Sequence, residues 1–230
     1  MKNPFGKITT LEAVMEQFHD GMTLMFGGFG GVGSPPTLIE GILNKGIVDI
    51  TLIGNDTGFP HIGIGKLVRE ERAKKVIASH IGSNPIAGQL MHTGKLEVEF
   101  SPQGILAERI RAGGVGLAAF FSDIGMDNEL VSKNKPRFHL DGKDYLIETA
   151  LTAEVAIVYA KKADEYGNLI YDKSARNTNP LVAMAGDITI AEVEEIVPLG
   201  SLDPDEIITP GVFVDFVIPS KGVNWKWAWE

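Results

Sequence analysis

The chain has 230 residues, 44% of them hydrophobic and 22% charged, with 27 glycines, no cysteine and a formal net charge of −9. Its longest cationic cluster is the short run from Arg72 to Lys75, which argues against a nucleic-acid partner, because phosphate-backbone binding needs a concentrated basic face. The lack of cysteine excludes disulfides, thiolate metal sites and a cysteine nucleophile. No apolar stretch approaches the roughly 20 residues of a bilayer span, and residues 1–14 hold no continuous apolar segment of the secretory type. A soluble cytoplasmic protein, with no membrane partner and a substantial core, is the expectation.

In chain order, Thr9-Thr10 caps a first helix that carries Leu11, Val14, Met15 and Phe18 on one face. Asp20-Gly21 turns the chain into a strand at residues 22–26. A helix over 35–46 follows, with Pro35 or Pro36 in its first turn and Gly46 as its stop. Residues 49–56, DITLIGND, read as a continuous apolar strand of the kind buried between helix layers. Strand, loop, helix and strand make a βαβ unit, whose crossover should be right-handed.

Further strands are predicted at 73–79, 95–101, 153–160 and 188–193, with helices near Gln103–Ala112 and Pro180–Ala185. Tyr166–Asn168 reads as a hairpin turn, and FHLDGKDYL as a second hairpin inside an otherwise irregular, glycine-rich stretch over 113–144. The predicted fold is α/β, a mostly parallel sheet with helices on both faces. No linker demands a boundary and no internal repeat is evident, so residues 1–230 read as a single domain.

Residues 27–36 spell GGFGGVGSPP, in which Gly28, Gly30 and Gly33 match the dinucleotide fingerprint G-x-G-x-x-G. Without Cβ atoms the backbone can turn sharply and let a ligand approach, and the following helix offers N–H groups and a positive dipole end to phosphate or an oxyanion. Asp56 closes the second strand near the place of a ribose-binding carboxylate. Against a dinucleotide, the fingerprint recurs by chance, and proline at the helix start removes a donor. The plain alternative is that these glycines only allow the loop to pack against its neighbour.

A longer element contains the fingerprint. Residues 20–35, DGMTLMFGGFGGVGSP, resemble the signature of family I coenzyme A transferases in their alpha-type subunit, met here by Asp20, Gly21, Leu24, Met25, Phe26, Gly27, Gly28, Phe29, Gly33 and Pro35. The resemblance continues through DITLIGNDTG, VIASHIGSNP, LEVEFSPQGILAERIRAGGVGLAAF, ADEYGNLIY and ARNTNPL to IITPGVFVD, nearly the whole chain.

This resemblance implies a CoA-transferase-like fold. It also implies transfer of CoA between a short-chain acyl-CoA and an acid such as acetate, butyrate or acetoacetate, with CoA as substrate and no metal or permanent cofactor. In that family the nucleophile is a glutamate in a Ser-Glu-Asn-Gly motif of the beta-type half, and no Ser-Glu-Asn occurs here. The resemblance therefore implies a beta-type partner that carries the glutamate, in an α2β2 or larger assembly. It places Gly27, Gly28, Phe29, Gly30, Gly31, Val32 and Gly33 beside CoA, and Asn55 and Gln103 against the acyl group. Two other readings stay open: a nicotinamide-dependent oxidoreductase and a non-catalytic ligand-sensing module.

Each remaining candidate carries a plainer reading. Asn55, beside Asp56 and Gly58, suits an ordinary turn, and Gln103, after Pro102, suits a first helical turn. His61, His80 and His92 lack paired zinc spacing, and a buried, hydrogen-bonded His80 is the expectation. Glu97 and Glu99 share a strand face that is expected to be solvated. Glu108, Arg109, Arg111 and Arg176 suit salt-bridged surface more than a phosphate site. The tail NWKWAWE matches nothing in the family, and its tryptophans suit either packing on a partner or no role.

Overall fold

The computed structural model describes residues 3–225. Four strands are laid down first: β1 (Thr23–Phe26), β2 (Ile50–Ile53), β3 (Ala73–Ala78) and β4 (Glu97–Phe100). A three-stranded antiparallel insert follows, of β5 (Ala119–Ser122), β6 (Arg137–Leu140) and β7 (Lys143–Thr149). The chain then returns to the first sheet with β8 (Ala153–Asp164), β9 (Leu169–Ile170), β10 (Gly186–Val197) and β11 (Phe216–Pro219).

The main sheet runs β11-β10-β8-β1-β2-β3-β4, parallel at every step, with β9 antiparallel on β8. The order reverses between β1 and β8, and an open α/β sheet gathers its ligands beyond the strand ends at such a switch.

The helices are α1 (Leu11–Val14), α2 (Pro36–Lys45), α3 (Gly65–Arg69), α4 (Pro85–His92), α5 (Gln103–Gly114), α6 (Glu129–Ser132) and α7 (Asn179–Met184). The central strands alternate their side chains between two buried clusters. Leu24, Phe26, Leu52, Val76, Val155 and Ile157 pack with Leu38, Ile42, Leu67 and Leu90 of α2, α3 and α4. Met25, Ile53, Ile77, Ala156 and Val158 pack with Leu106 and Ile110 of α5 and Val182 of α7. Burial on both faces is why these strands read as unbroken apolar runs.

Local chemistry sets the element ends. Thr10 caps α1, its hydroxyl accepting the Ala13 amide at 3.4 Å, and Gly46 ends α2 in the left-handed region at φ 80°. The first helix is shorter than its pattern predicts: after Val14 it tightens into a 3₁₀ turn over Met15–Gln17. The stretch 113–144 is not irregular. It contains β5, which pairs with the predicted hairpin, whose turn residues Asp141 and Gly142 have φ 50° and 77°. β8 and β10 outrun their predicted ends, because Lys161–Glu194 and Lys162–Glu195 form cross-strand ion pairs beyond the apolar run.

Candidate active site

After β1 the Gly27 amide donates to Ile157 of β8 at 3.0 Å. Phe29 and Val32 then exchange both backbone hydrogen bonds, at 2.9 and 3.1 Å, so Gly30-Gly31 is the turn of a minimal hairpin. Both turn residues have positive φ, 57° and 97°, which glycine adopts without steric cost. Asn177 and Asn179, just before and at the start of α7, hold this loop from across the chain. Asn177 accepts the Gly28 amide at 3.1 Å and donates to Val32 O at 2.9 Å, while Asn179 donates to Gly33 O at 3.0 Å. Position 27 has no room for a side chain, since a Cβ there would lie 1.8 Å from Asn179 Oδ1.

A second loop echoes the first. Residues 58–63, GFPHIG, repeat the pattern of 28–33, GFGGVG, as Gly-Phe-x-x-aliphatic-Gly. This is a short internal repeat that the sequence reading did not recognise. Phe59 and Ile62 close the second turn as Phe29 and Val32 close the first. The loops touch so closely that a Cβ on Gly31 would meet Ile62 Cγ2 at 2.6 Å. Asp56 joins them: its carboxylate accepts the Gly30 amide at 2.8 Å, the Gly58 amide at 2.7 Å and Asn55 Nδ2 at 2.8 Å.

Between the loops and the ends of β2, β3 and β4 lies a cavity of about 370 Å³. Phe29, Gly30 and Val32 line it from the glycine loop, Phe59 from its twin, and Asn55 and Asp56 from the end of β2. Ser79, His80 and Ser83 close it after β3, and Gln103 after β4. The two predicted amides therefore meet, with Gln103 Nε2 donating to Asn55 Oδ1 at 3.1 Å. Asn55 is buried and further fixed by Ser79, whose hydroxyl donates to Asn55 O at 2.7 Å. Gln103 also opens α5, after Pro102, so its first-turn reading and its place on the cavity wall both hold.

The start of α2 is not open to a phosphate. The carboxylate of Glu192, from β10, accepts the Thr37 and Leu38 amides at 2.8 and 3.0 Å and the Ser220 hydroxyl at 2.6 Å. Glu192 is wholly buried, and burial pushes its carboxyl above the ordinary glutamate range although these hydrogen bonds oppose the shift. Asp56, the candidate ribose partner, is likewise taken up by backbone and side-chain donors. Of the loop, Phe29, Gly30 and Val32 reach the cavity, while Gly31 is buried against Ile62 and Gly33 against Ala175 and Asn177.

The other candidates sort by their contacts. His80 is exposed on the cavity wall instead of buried, because it follows Ser79 where the chain leaves β3. His61 contacts Arg69 at 2.5 Å, and among the described residues no three acidic or imidazole groups gather as metal ligands. Glu99 is not simply solvated. Burial works to raise its carboxyl, but Arg109 and Lys75 outweigh that and hold it below the usual range. Arg109 is buried and donates to Thr149 O at 2.8 Å, so it is a packing residue, while Arg111 pairs with Glu108. Arg176 is exposed, one residue before Asn177.

Trp225 packs on its own chain. Its Nε1–H donates to Ser34 O at 3.0 Å and its ring meets Tyr159 edge-on at 5.3 Å. Trp227 and Trp229 lie outside the described residues. Asn177, Asn179 and Phe59 build the site although none of them was a candidate from the sequence. The repeated hexapeptide and the N-x-N spacing were the signals that could have found them.

The family model described as coenzyme A transferase matches residues 8–220. A probable coenzyme A transferase subunit alpha of Bacillus subtilis (strain 168) is 58% identical over 227 residues, covering 99% of each chain. The acetate CoA-transferase subunit alpha of Escherichia coli (strain K12) is 47% identical over 215 residues, covering 94% of this chain and 97% of that one. Among solved structures, the acyl-CoA transferase YdiF of E. coli O157:H7, in a thioester complex with CoA, has the same fold, with a TM-score of 0.84 at 23% identity. That match covers 96% of this chain and 48% of YdiF. The fold is thus that of a known group, and the chain belongs to the coenzyme A transferase family.

Proposed function

We propose that this chain is the alpha-type half of a two-subunit CoA-transferase that moves CoA between a short-chain acyl-CoA and a free acid such as acetate, butyrate or acetoacetate. The observation that carries this reading is the cavity wall. The neutral amides of Asn55 and Gln103 converge there, while its one carboxylate, Asp56, is taken up by three N–H donors. A carboxylate nucleophile must then come from another polypeptide, in keeping with the alpha-subunit names of the relatives.

In this scheme a glutamate of the beta-type partner attacks the thioester carbon. The C–S bond breaks, CoA leaves as thiolate, and a mixed anhydride remains. The thiolate attacks the glutamyl carbonyl, the first acid departs as carboxylate, and a glutamyl-CoA thioester forms. The acceptor acid runs the same steps in reverse.

Asn55 and Gln103 supply hydrogen bonds to carbonyl oxygens that gain charge, without neutralising the partner's glutamate. Residues 27–33 border CoA, and Phe29 and Phe59 keep water from the acyl group. CoA is a substrate, with no resident cofactor or metal. The whole chain acts as one domain of a cytoplasmic α2β2 or larger assembly. The nicotinamide alternative lacks both a free carboxylate for ribose and a free α2 terminus for pyrophosphate.

Co-production with a beta-type polypeptide, followed by CoA exchange between acetyl-CoA or butyryl-CoA and acetoacetate, tests the proposal. The pair should exchange CoA and the lone chain should not. No exchange by the pair across a panel of short acids would overturn it and favour a ligand-sensing module.

A further inference from the structure

We infer that His80 determines how the free acid is held, its imidazole N–H donating to the substrate carboxylate. This rests on the CoA-transferase reading above. His80 differs from every other polar group of the cavity. Asp56 has no donor to offer and its oxygens are occupied. The Ser79 hydroxyl donates to Asn55 O at 2.7 Å and the Ser83 hydroxyl to Gly58 O at 2.9 Å. Asn55 and Gln103 are held by each other and by Asp56, and the one amide hydrogen each has left serves the carbonyl oxygens of the transfer. Against the apolar rings of Phe29 and Phe59, His80 is the wall side chain with no hydrogen-bond partner among the described residues.

The chain also fixes where that imidazole stands. The backbone at His80 bridges to Asp56, and Thr57 donates to His80 O at 3.3 Å. On its far side Gly82 leaves room for the ring, since a Cβ there would lie 2.8 Å from Cε1 of His80. A donor set into the rim of a small, partly apolar cavity suits a monocarboxylate, and the wall carries no other uncommitted side chain of its kind. An acyl-CoA presents a neutral thioester carbonyl in place of that carboxylate, a weaker acceptor. The contact therefore favours the acid over the acyl-CoA.

The test uses the assembled alpha–beta pair. His80→Phe keeps a ring and removes the donor, and should raise KM for the acid roughly tenfold, the scale of one hydrogen bond to a charged group. KM for the acyl-CoA should stay within about twofold. His80→Gln restores an N–H donor and should recover most of the loss. Unchanged acid KM in H80F, or an equal rise for both substrates, overturns the inference. If the wild-type pair transfers no CoA at all, both this inference and the function reading fall, whereas normal transfer by H80F sinks this inference alone. Independently of turnover, acetate should shift the imidazole resonances of His80 in the wild-type pair, and no shift counts against the contact.

Discussion

Asp56 Oδ2 accepts the amide hydrogen of Gly30 across 2.8 Å, tying the end of β2 to the turn of the glycine loop. Its other oxygen takes the Gly58 amide at 2.7 Å, so a single buried carboxylate sets the spacing of both loops. Asp56→Asn would aim an NH2 group at an N–H donor. Stability should fall by about 2 kcal/mol, roughly 4–8 °C in Tm for a chain of this size, and CoA exchange by the pair should drop at least tenfold. Hydrogen exchange at Gly30 and Gly58 reads the cause directly. Unchanged protection of those amides would show that Asp56 does not hold the loops.

Gln103 is exposed, and its amide reaches Asn55 Oδ1 at 3.1 Å. Its removal leaves no buried group without a partner. Gln103→Ala should therefore slow CoA exchange by about tenfold, the scale of losing one preorganised donor or somewhat less, while the pair still assembles and melts as before. Steady-state kinetics alongside size-exclusion chromatography separates these effects. Unchanged kinetics would take Gln103 out of the site.

Glu192 supplies a pH-dependent term. Its carboxyl is raised by burial, so the native state holds that proton more tightly than the unfolded chain does. The stabilisation this gives is fully present below the unfolded glutamate pKa, about 4.3, and is lost as pH rises through the raised native value. Glu192→Gln keeps an acceptor for the Thr37 and Leu38 amides without a charge to bury. Its stability should decline less than that of the wild type from acid toward neutral pH. Glu192→Ala should cost about 3 kcal/mol at acid pH, because the α2 amides lose their partner, and less toward neutral pH, where the wild type has lost its own term. A Tm series against pH decides the matter, and parallel curves for wild type and E192Q would refute the assignment.

Much of the framework was legible, because local chemistry determines it. Thr10, Gly46 and the apolar runs through β1, β2, β3 and β8 carry their signals within a few residues. α4 escaped notice although Asn84-Pro85 is a sound start, because its apolar pattern is short. β11 escaped because it is four residues ending in proline. That Asn55 and Gln103 lie near each other was legible through their places after strands, and the cavity they share is where the structure puts them.

Glu192 and Trp225 were not legible in this way. Glu192 reads as one polar residue in an apolar strand, and nothing near it in sequence names the helix start that it caps. Trp225 contacts Ser34 from 191 positions away. Such pairings are decided by which strands become neighbours, which a local pattern does not encode.

The asparagine anchors carry a consequence for how the protein is made. Gly28 is held by a residue 149 positions further along the chain, and Gly33 by one 146 positions away. Every glycine of the loop emerges early in synthesis, yet its two flanks gain their asparagine clamps only after α7 has docked and β8 has joined β1. Contacts so distant in sequence close slowly. A nascent chain that stops before Asn177 would hold the complete signature and the Asp56 tie but neither asparagine clamp, so the fully fixed loop arrives as one of the last acts of folding.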